Sequence, residues 1–167
     1  FNRGFLRGEK YSRRDVFRVL QWEKNPNAQN VGGYIVSAER KQCPIFVNYH
    51  KEDSISDTTK YEDHFENAAR LVYMSKSRRN LGSADVEHIR NQASNNLRIP
   101  IFVKKSNDEG LSFYYIGDGT AEAERFIETT MPVAEGSPVS VVKMVFTLDI
   151  PLDDGLYQYL TRIPYAS

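Results

Sequence analysis

Cysteine is nearly absent from these 167 residues, Cys43 being the single one. That excludes an intramolecular disulfide framework and leads us to expect a reducing, cytoplasmic setting. Cys43 stands before Pro44 and an apolar run, so it reads as a small buried hydrophobe rather than a nucleophile. Long apolar runs are missing as well. None approaches the roughly 20 residues that span a bilayer, no signal-peptide pattern is read, and no membrane partner is expected. His50, His64 and His88 are scattered and share no metal-ligand spacing with Cys43, so neither a metal site nor a cofactor is expected. A G-x-x-x-x-G-K phosphate loop is lacking, and nucleotide hydrolysis by these residues is not expected. There is no internal repeat and no low-complexity tract.

What is present has globular proportions. Apolar residues make up 40% and charged residues 26%, as in a soluble folded domain, and the length suits a single domain over 1–167 with a real core. The chain begins at Phe1, as expected for a domain excised from a larger protein. Processing, or a start outside these residues, are the alternatives. Net charge is zero but unevenly spread. Arg3, Arg7, Lys10, Arg13, Arg14 and Arg18 crowd the first 20 residues, whereas 108–135 is acidic. That asymmetry permits a basic face for an anionic partner, and it equally permits the two regions to face each other.

Ser12 caps an expected first helix, with Asp15 in its first turn and an apolar stripe from Val16 to about Trp22. Asn25-Pro26-Asn27 ends it. Tyr34-Ile35-Val36 opens a β region that resumes at Ile45. Glu39-Arg40-Lys41 has the E-x-K spacing of restriction-type nuclease cores, a three-residue match that arises easily by chance. Ser83 caps a second helix, with Val86, Ile89 and Ala93 as its apolar face. Ile99–Val103 is a strand, Asn107–Gly110 a hairpin turn, and Leu111–Ile116 its antiparallel return, ending at Gly117-Asp118-Gly119. Val139–Ile150 is extended, and Asp153-Asp154 start a terminal helix. No regular βαβ alternation occurs. The expected fold is therefore α+β, a mostly antiparallel curved sheet or β-barrel with two or three flanking helices.

The stretch Cys43–Arg79 carries the chemistry. Two apolar runs, Ile45-Phe46-Val47 and Leu71-Val72-Tyr73-Met74, empty respectively into Asn48-Tyr49-His50-Lys51 and Ser75-Lys76-Ser77-Arg78-Arg79. Hydroxyls, cations and aromatics at strand ends suit a nucleotide surface: Arg and Lys for charge, Ser for directed hydrogen bonds, Tyr for stacking. The base or ligand pocket is expected from Asn48, Tyr49, His50, Tyr61, Asp63 and Ser75, with Trp22 and Tyr73 as further walls. Phosphate contacts are expected from Lys51, Lys76, Ser77, Arg78, Arg79 and Lys104, with Lys105 alongside. His50 lacks a nucleophile at a telling spacing, and no catalytic residue is assigned.

The order of these pieces resembles the domain of unknown function 3427 family, found at the C-terminal end of restriction-type superfamily two helicases. The resemblance runs from Lys10–Val16 and Gly33-Tyr34 through Cys43–Lys51, Tyr61–Phe65 and Ser75–Arg79. It continues in Phe102–Lys105, Phe113–Gly117 and Leu156–Leu160. It implies DNA handling, helicase and nuclease domains of a parent protein as partners, and any catalysis in those domains rather than here. The expected function is a DNA-binding module, specifically a reader of modified DNA, in a defence or repair helicase-nuclease. A protein-docking or oligomerisation domain of that helicase, and a degenerate metal-dependent nuclease domain, are the alternatives.

Overall fold

Among the described residues eight strands form one sheet, in the order β2-β5-β6-β8-β4-β3, with β1 on β6 and β7 on β8. The structure, a computed structural model, describes residues 4–26, 33–50, 63–133 and 136–162. Lys51 and Tyr61, two of the expected site residues, lie outside them. In chain order the strands are β1 (Lys10–Ser12), β2 (Ile45–His50), β3 (His64–Asn67), β4 (Arg70–Met74), β5 (Pro100–Ser106), β6 (Ser112–Ala121), β7 (Ile127–Met131) and β8 (Val139–Leu148). The helices are α1 (Arg13–Val19), α2 (Ala84–Arg90), α3 (Gln92–Asn95) and α4 (Asp154–Thr161). Every strand pair is antiparallel except β2 with β5, which run parallel. The sheet is thus mixed, mostly antiparallel and strongly curled into a half-barrel. No helix among the described residues is long and apolar enough to cross a membrane.

The α1 segment begins where its sequence says it should. Ser12 Oγ accepts the Asp15 N–H, and the Asp15 carboxylate accepts the Ser12 N–H in return, a complete capping box. The helix is shorter than the apolar stripe suggests. Gln21 takes a left-handed backbone (φ 62°), and the N–H groups of Trp22 and Gln21 bond the carbonyls of Phe17 and Arg18, a Schellman closure. The second expected helix breaks at Asn91 into α2 and α3, which leaves Ala93 exposed. Ser83 stands at the N-cap of α2 without making the cap bond, because its Oγ is taken by the Asn80 N–H.

The strand β6 runs on through Gly117-Asp118-Gly119 instead of ending there. Its register to β5 slips between Ile101 and Phe102, and its last residues, Gly119–Ala121, cross over to pair with β8. A bulge followed by a close approach is where a strand turns a corner. At Gly119 a Cβ would meet Ile101 Cδ1 at 2.6 Å, so a side chain at the corner would have to displace the buried end of Ile101.

Alternation along the strands feeds two cores. Ile45, Val47, Ile101, Val103, Ile116, Met144 and Phe146 point to the larger one, which Val86 and Ile89 of α2 and Leu160 of α4 complete. Phe46, Phe102, Phe113 and Tyr115 point the other way, and Val16, Phe17 and Leu20 of α1 close over them together with Phe5. Cys43 is fully buried, and burial pushes its thiol pKa up. Of the uneven charge, Lys10 meets Glu109 at 3.5 Å, so the basic and acidic regions do touch at one point.

Replacing Ser12 with Ala removes half of the capping box and is expected to cost about 1 kcal/mol, read as a lower urea midpoint with an unchanged slope.

Candidate nucleic-acid interface

Between β2, β4 and the start of α1 lies a cleft of about 300 Å³. Its lining comes from separate parts of the chain: Arg13 at the start of α1, Gly33 and Tyr34 before β2, Phe46 and Asn48 on β2, and Asp63 before β3. Tyr73 and Met74 on β4, Ser75 and Lys76 after it, and Met131 at the end of β7 complete it. The structure therefore brings together Asn48, Asp63, Ser75 and Lys76 of the expected set, with Tyr73 as a wall. Gly33 is needed for the approach, since a Cβ there would meet the Tyr73 hydroxyl at 2.6 Å, and its φ of +115° suits glycine alone.

Tyr49 and His50 do not line the cleft. Tyr49 packs against the larger core instead, its ring stacked on Phe65 with centroids 5.5 Å apart, and its hydroxyl accepts the Phe65 N–H at 3.2 Å. The reason is the two-residue strand period, which sends Phe46 and Asn48 to one side and Val47 and Tyr49 to the other. His50 Nε2 donates to the Leu160 carbonyl at 2.9 Å and so ties β2 to α4. Trp22 lies away from the cleft beside Phe17, with Nε1 donating to Gln42.

Several of the gathered groups already hold the fold. Ser75 Oγ accepts the Val142 N–H at 2.8 Å and donates to the Lys76 carbonyl at 2.9 Å, so its hydroxyl is spent on stitching the end of β4 to β8. Asp63 is buried, and its Oδ1 accepts the Met74 N–H at 2.8 Å. Tyr34 donates to Asp85 Oδ2 at 2.7 Å and accepts the Lys76 N–H at 3.1 Å. Burial, and then the bond to Asp85, push the Tyr34 phenol well above its ordinary pKa, so it stays a donor. Lys76 Nζ lies 4.8 Å from the Tyr34 ring centre, and burial lowers its pKa.

The segment after β4 divides its two arginines. Arg79 is committed to structure, its Nε within 3.0 Å of both oxygens of Asp85 and its Nη1 donating to the Ser77 carbonyl. Arg78, in a left-handed backbone (φ 60°), is exposed beside exposed Ser77. Lys104, expected on phosphate, is buried. Its Nζ donates to the Gly110 carbonyl at 3.0 Å and lies 5.0 Å from the Phe113 ring centre. Lys105 turns to the Tyr159 carbonyl at 2.8 Å. The E-x-K triplet Glu39–Lys41 sits in a turn, not on a strand. Among the described residues no group of three His, Cys, Asp or Glu side chains is placed to hold a metal ion.

Sequence reading missed Tyr34 and Phe46 as walls of the cleft, and it missed Arg13. Its guanidinium lies over two ring faces, 5.2 Å from the centre of Phe46 and 5.1 Å from that of Phe113. The available signal was a cation at the first position of a helix, where the macrodipole disfavours it. A second, larger cleft of about 610 Å³ lies at the opposite end of β5, but there Arg98 and Asp118 neutralise one another at 3.0 Å.

The site is thus a polar cleft walled by aromatics on the edge of a curled mixed sheet. Residues 5–160 match the family described as "Domain of unknown function (DUF3427)", and the chain belongs to that family. No curated protein matches it. Among solved structures it is similar to the "DNA modification-dependent restriction endonuclease AspBHI", with a TM-score of 0.49 and 17% identity over 78% of this chain. The match spans 41% of that enzyme's chain.

The strut Tyr34–Asp85–Arg79 has an acid limit. Burial opposes ionisation of Asp85, but bonds from Tyr34, Arg79 and the Val86 N–H outweigh it and hold the carboxyl below its ordinary pKa. A carboxyl lowered by folding stabilises above its unfolded pKa of about 3.9, and that stability is lost as pH falls through the folded value. Stability is therefore expected to drop on acidification below about pH 4. Asp85→Asn should flatten that limb in pH-dependent thermal melts while costing about 1–3 kcal/mol at neutral pH.

Proposed function

We propose that this chain is a DNA-binding module that reads modified DNA, using the cleft between β2 and β4 to take a base out of the stack. One observation carries the reading: one cleft is lined by aromatic residues (Tyr34, Phe46, Tyr73), an amide and a carboxylate (Asn48, Asp63), and the cations Arg13 and Lys76. A flipped base needs that combination, a flat apolar surface for its ring and hydrogen-bonding groups for its edge. The volume falls at the small end of ligand sites, which run from about 300 to 1,000 Å³. Asn48 and Asp63 are the edge readers in this reading, as the amide and the carboxylate of the lining. Lys76, Ser77 and Arg78, on the segment after β4, hold the strand outside. The parent protein would be a defence or repair helicase-nuclease, the context that the family resemblance of nearly the whole chain implies.

The test is fluorescence anisotropy against unmodified, methylated, hydroxymethylated, glucosylated and phosphorothioate duplexes over a salt series. Affinity should fall steeply as salt rises. Lys76→Ala with Arg78→Ala should weaken binding to every duplex and reduce the salt slope by about one for each phosphate no longer neutralised. Asn48→Ala should chiefly reduce discrimination between modified and unmodified DNA. Absence of binding to any duplex at low salt would overturn the reading in favour of a protein-docking domain.

Strand cleavage and ATP hydrolysis belong, on this reading, to other domains of the parent. Supercoiled plasmid incubated with the chain, ATP and magnesium or manganese should stay intact. Nicking that disappears with Glu39→Ala or Lys41→Ala would instead identify a nuclease.

A further inference from the structure

We infer that Arg13 is a preformed phosphate-binding residue, and that the ligand of the cleft carries a phosphate group beside its ring. The inference deepens the reading above and rests on it only for the cleft being a nucleotide site.

The position of Arg13 costs the fold in four separate ways. It is the first residue of α1, where the peptide dipoles present their positive end. Its Nε is buried without an acceptor, which forfeits a hydrogen bond made to water in the unfolded chain. No carboxylate among the described residues pairs with it, although ion pairs form elsewhere, among them Lys10–Glu109, Arg70–Glu122, Arg79–Asp85, Arg98–Asp118 and Arg125–Glu66. And a second cation stands close. Lys104 lies 5.0 Å from the same Phe113 ring, and its charge and that of Arg13 repel. Burial accordingly lowers the pKa of both.

Against these costs stand two cation–π contacts, which do not require this residue, since a Met or Leu would pack on Phe46 and Phe113 without the desolvation. What the arrangement does supply is preorganisation. Two rings hold the guanidinium in place before any ligand arrives, so less conformational entropy remains to be lost on binding. The terminal nitrogens then offer the planar fork that fits two phosphate oxygens at once. Asn48 completes the setting. It lies opposite Lys104 in the β2–β5 register and lines the cleft together with Arg13. An incoming phosphate would meet a held guanidinium and an amide, and its charge would ease the repulsion between Arg13 and Lys104.

The test follows the Arg13 side-chain Nε–Hε signal by NMR, which burial of Nε should protect from exchange. The full chain is titrated with inorganic phosphate, a deoxynucleoside, its 5′-monophosphate, and a dinucleotide with one internal phosphodiester. Phosphate and both phosphorylated ligands should shift and saturate the Arg13 signal while those of Arg14 and Arg18 move little. The nucleoside should bind about tenfold or more weakly than its monophosphate. The last two ligands tell a terminal phosphate from a backbone one. Arg13→Met should lose phosphate affinity by about tenfold or more with a melting temperature unchanged or higher. Arg13→Lys, which keeps charge but loses the fork, should fall between. An Arg13 signal that moves no more than those of Arg14 and Arg18 would overturn the inference, as would an Arg13→Met chain that melts lower and binds phosphate as well as wild type. If duplex DNA fails to bind while phosphate still shifts Arg13, the DNA reading falls and this inference stands. If duplex DNA binds and Arg13→Met changes nothing, the reverse holds.

Discussion

The parallel pairing of β2 with β5 is the constraint on which the rest depends. Both strands are covered on both faces, so each residue is committed to one of two cores: Ile45, Val47, Ile101 and Val103 to one, Phe46 and Phe102 to the other. A slip of one residue would exchange the faces and drive Asn48 and Lys104 into the larger apolar core. The register is therefore held by hydrophobic burial on both sides, and it sets Asn48 opposite Lys104 with the stacked rings of Phe46 and Phe102 just before them. The polar cleft begins where those two cores run out.

A second level of order comes from side chains that bond backbone. Tyr34, Asp63 and Ser75 each satisfy an N–H at or just beyond the end of β4 or on β8, where the sheet ladder alone leaves gaps. Arg79 then braces the following segment on Asp85. The segment that carries Lys76 and Arg78 is thus held at both ends, by Tyr34 and Ser75 before it and by the Arg79–Asp85 pair after it.

Much of this was legible in the sequence. Ser12 with Asp15 announced α1, the apolar runs announced β2, β4, β5 and β8, and Asp153 announced α4, because caps and strand periods are local properties. The curl was expected from the run of strands joined by short turns, but its cause was not, since Gly117 and Gly119 read as a strand terminator when they in fact allow β6 to turn a corner against Ile101. In the site, alternation already says that Asn48 and Tyr49 point to opposite faces. Which of them meets the cleft depends on what covers each face, and that is settled by Phe65, itself packed against Tyr157, stacking on Tyr49. The seat of Arg13 on two rings distant in sequence is a tertiary fact whose one local trace is a cation at the first position of α1.

The burial of Cys43 gives the molecule an internal clock. Its sulfur is sealed in the larger core and its thiol is held in the protonated form, so a thiol reagent reacts only with the chain that has opened there. With one cysteine in the sequence, each alkylation event reports one such opening. A ligand that binds the closed chain and not the opened one slows the clock.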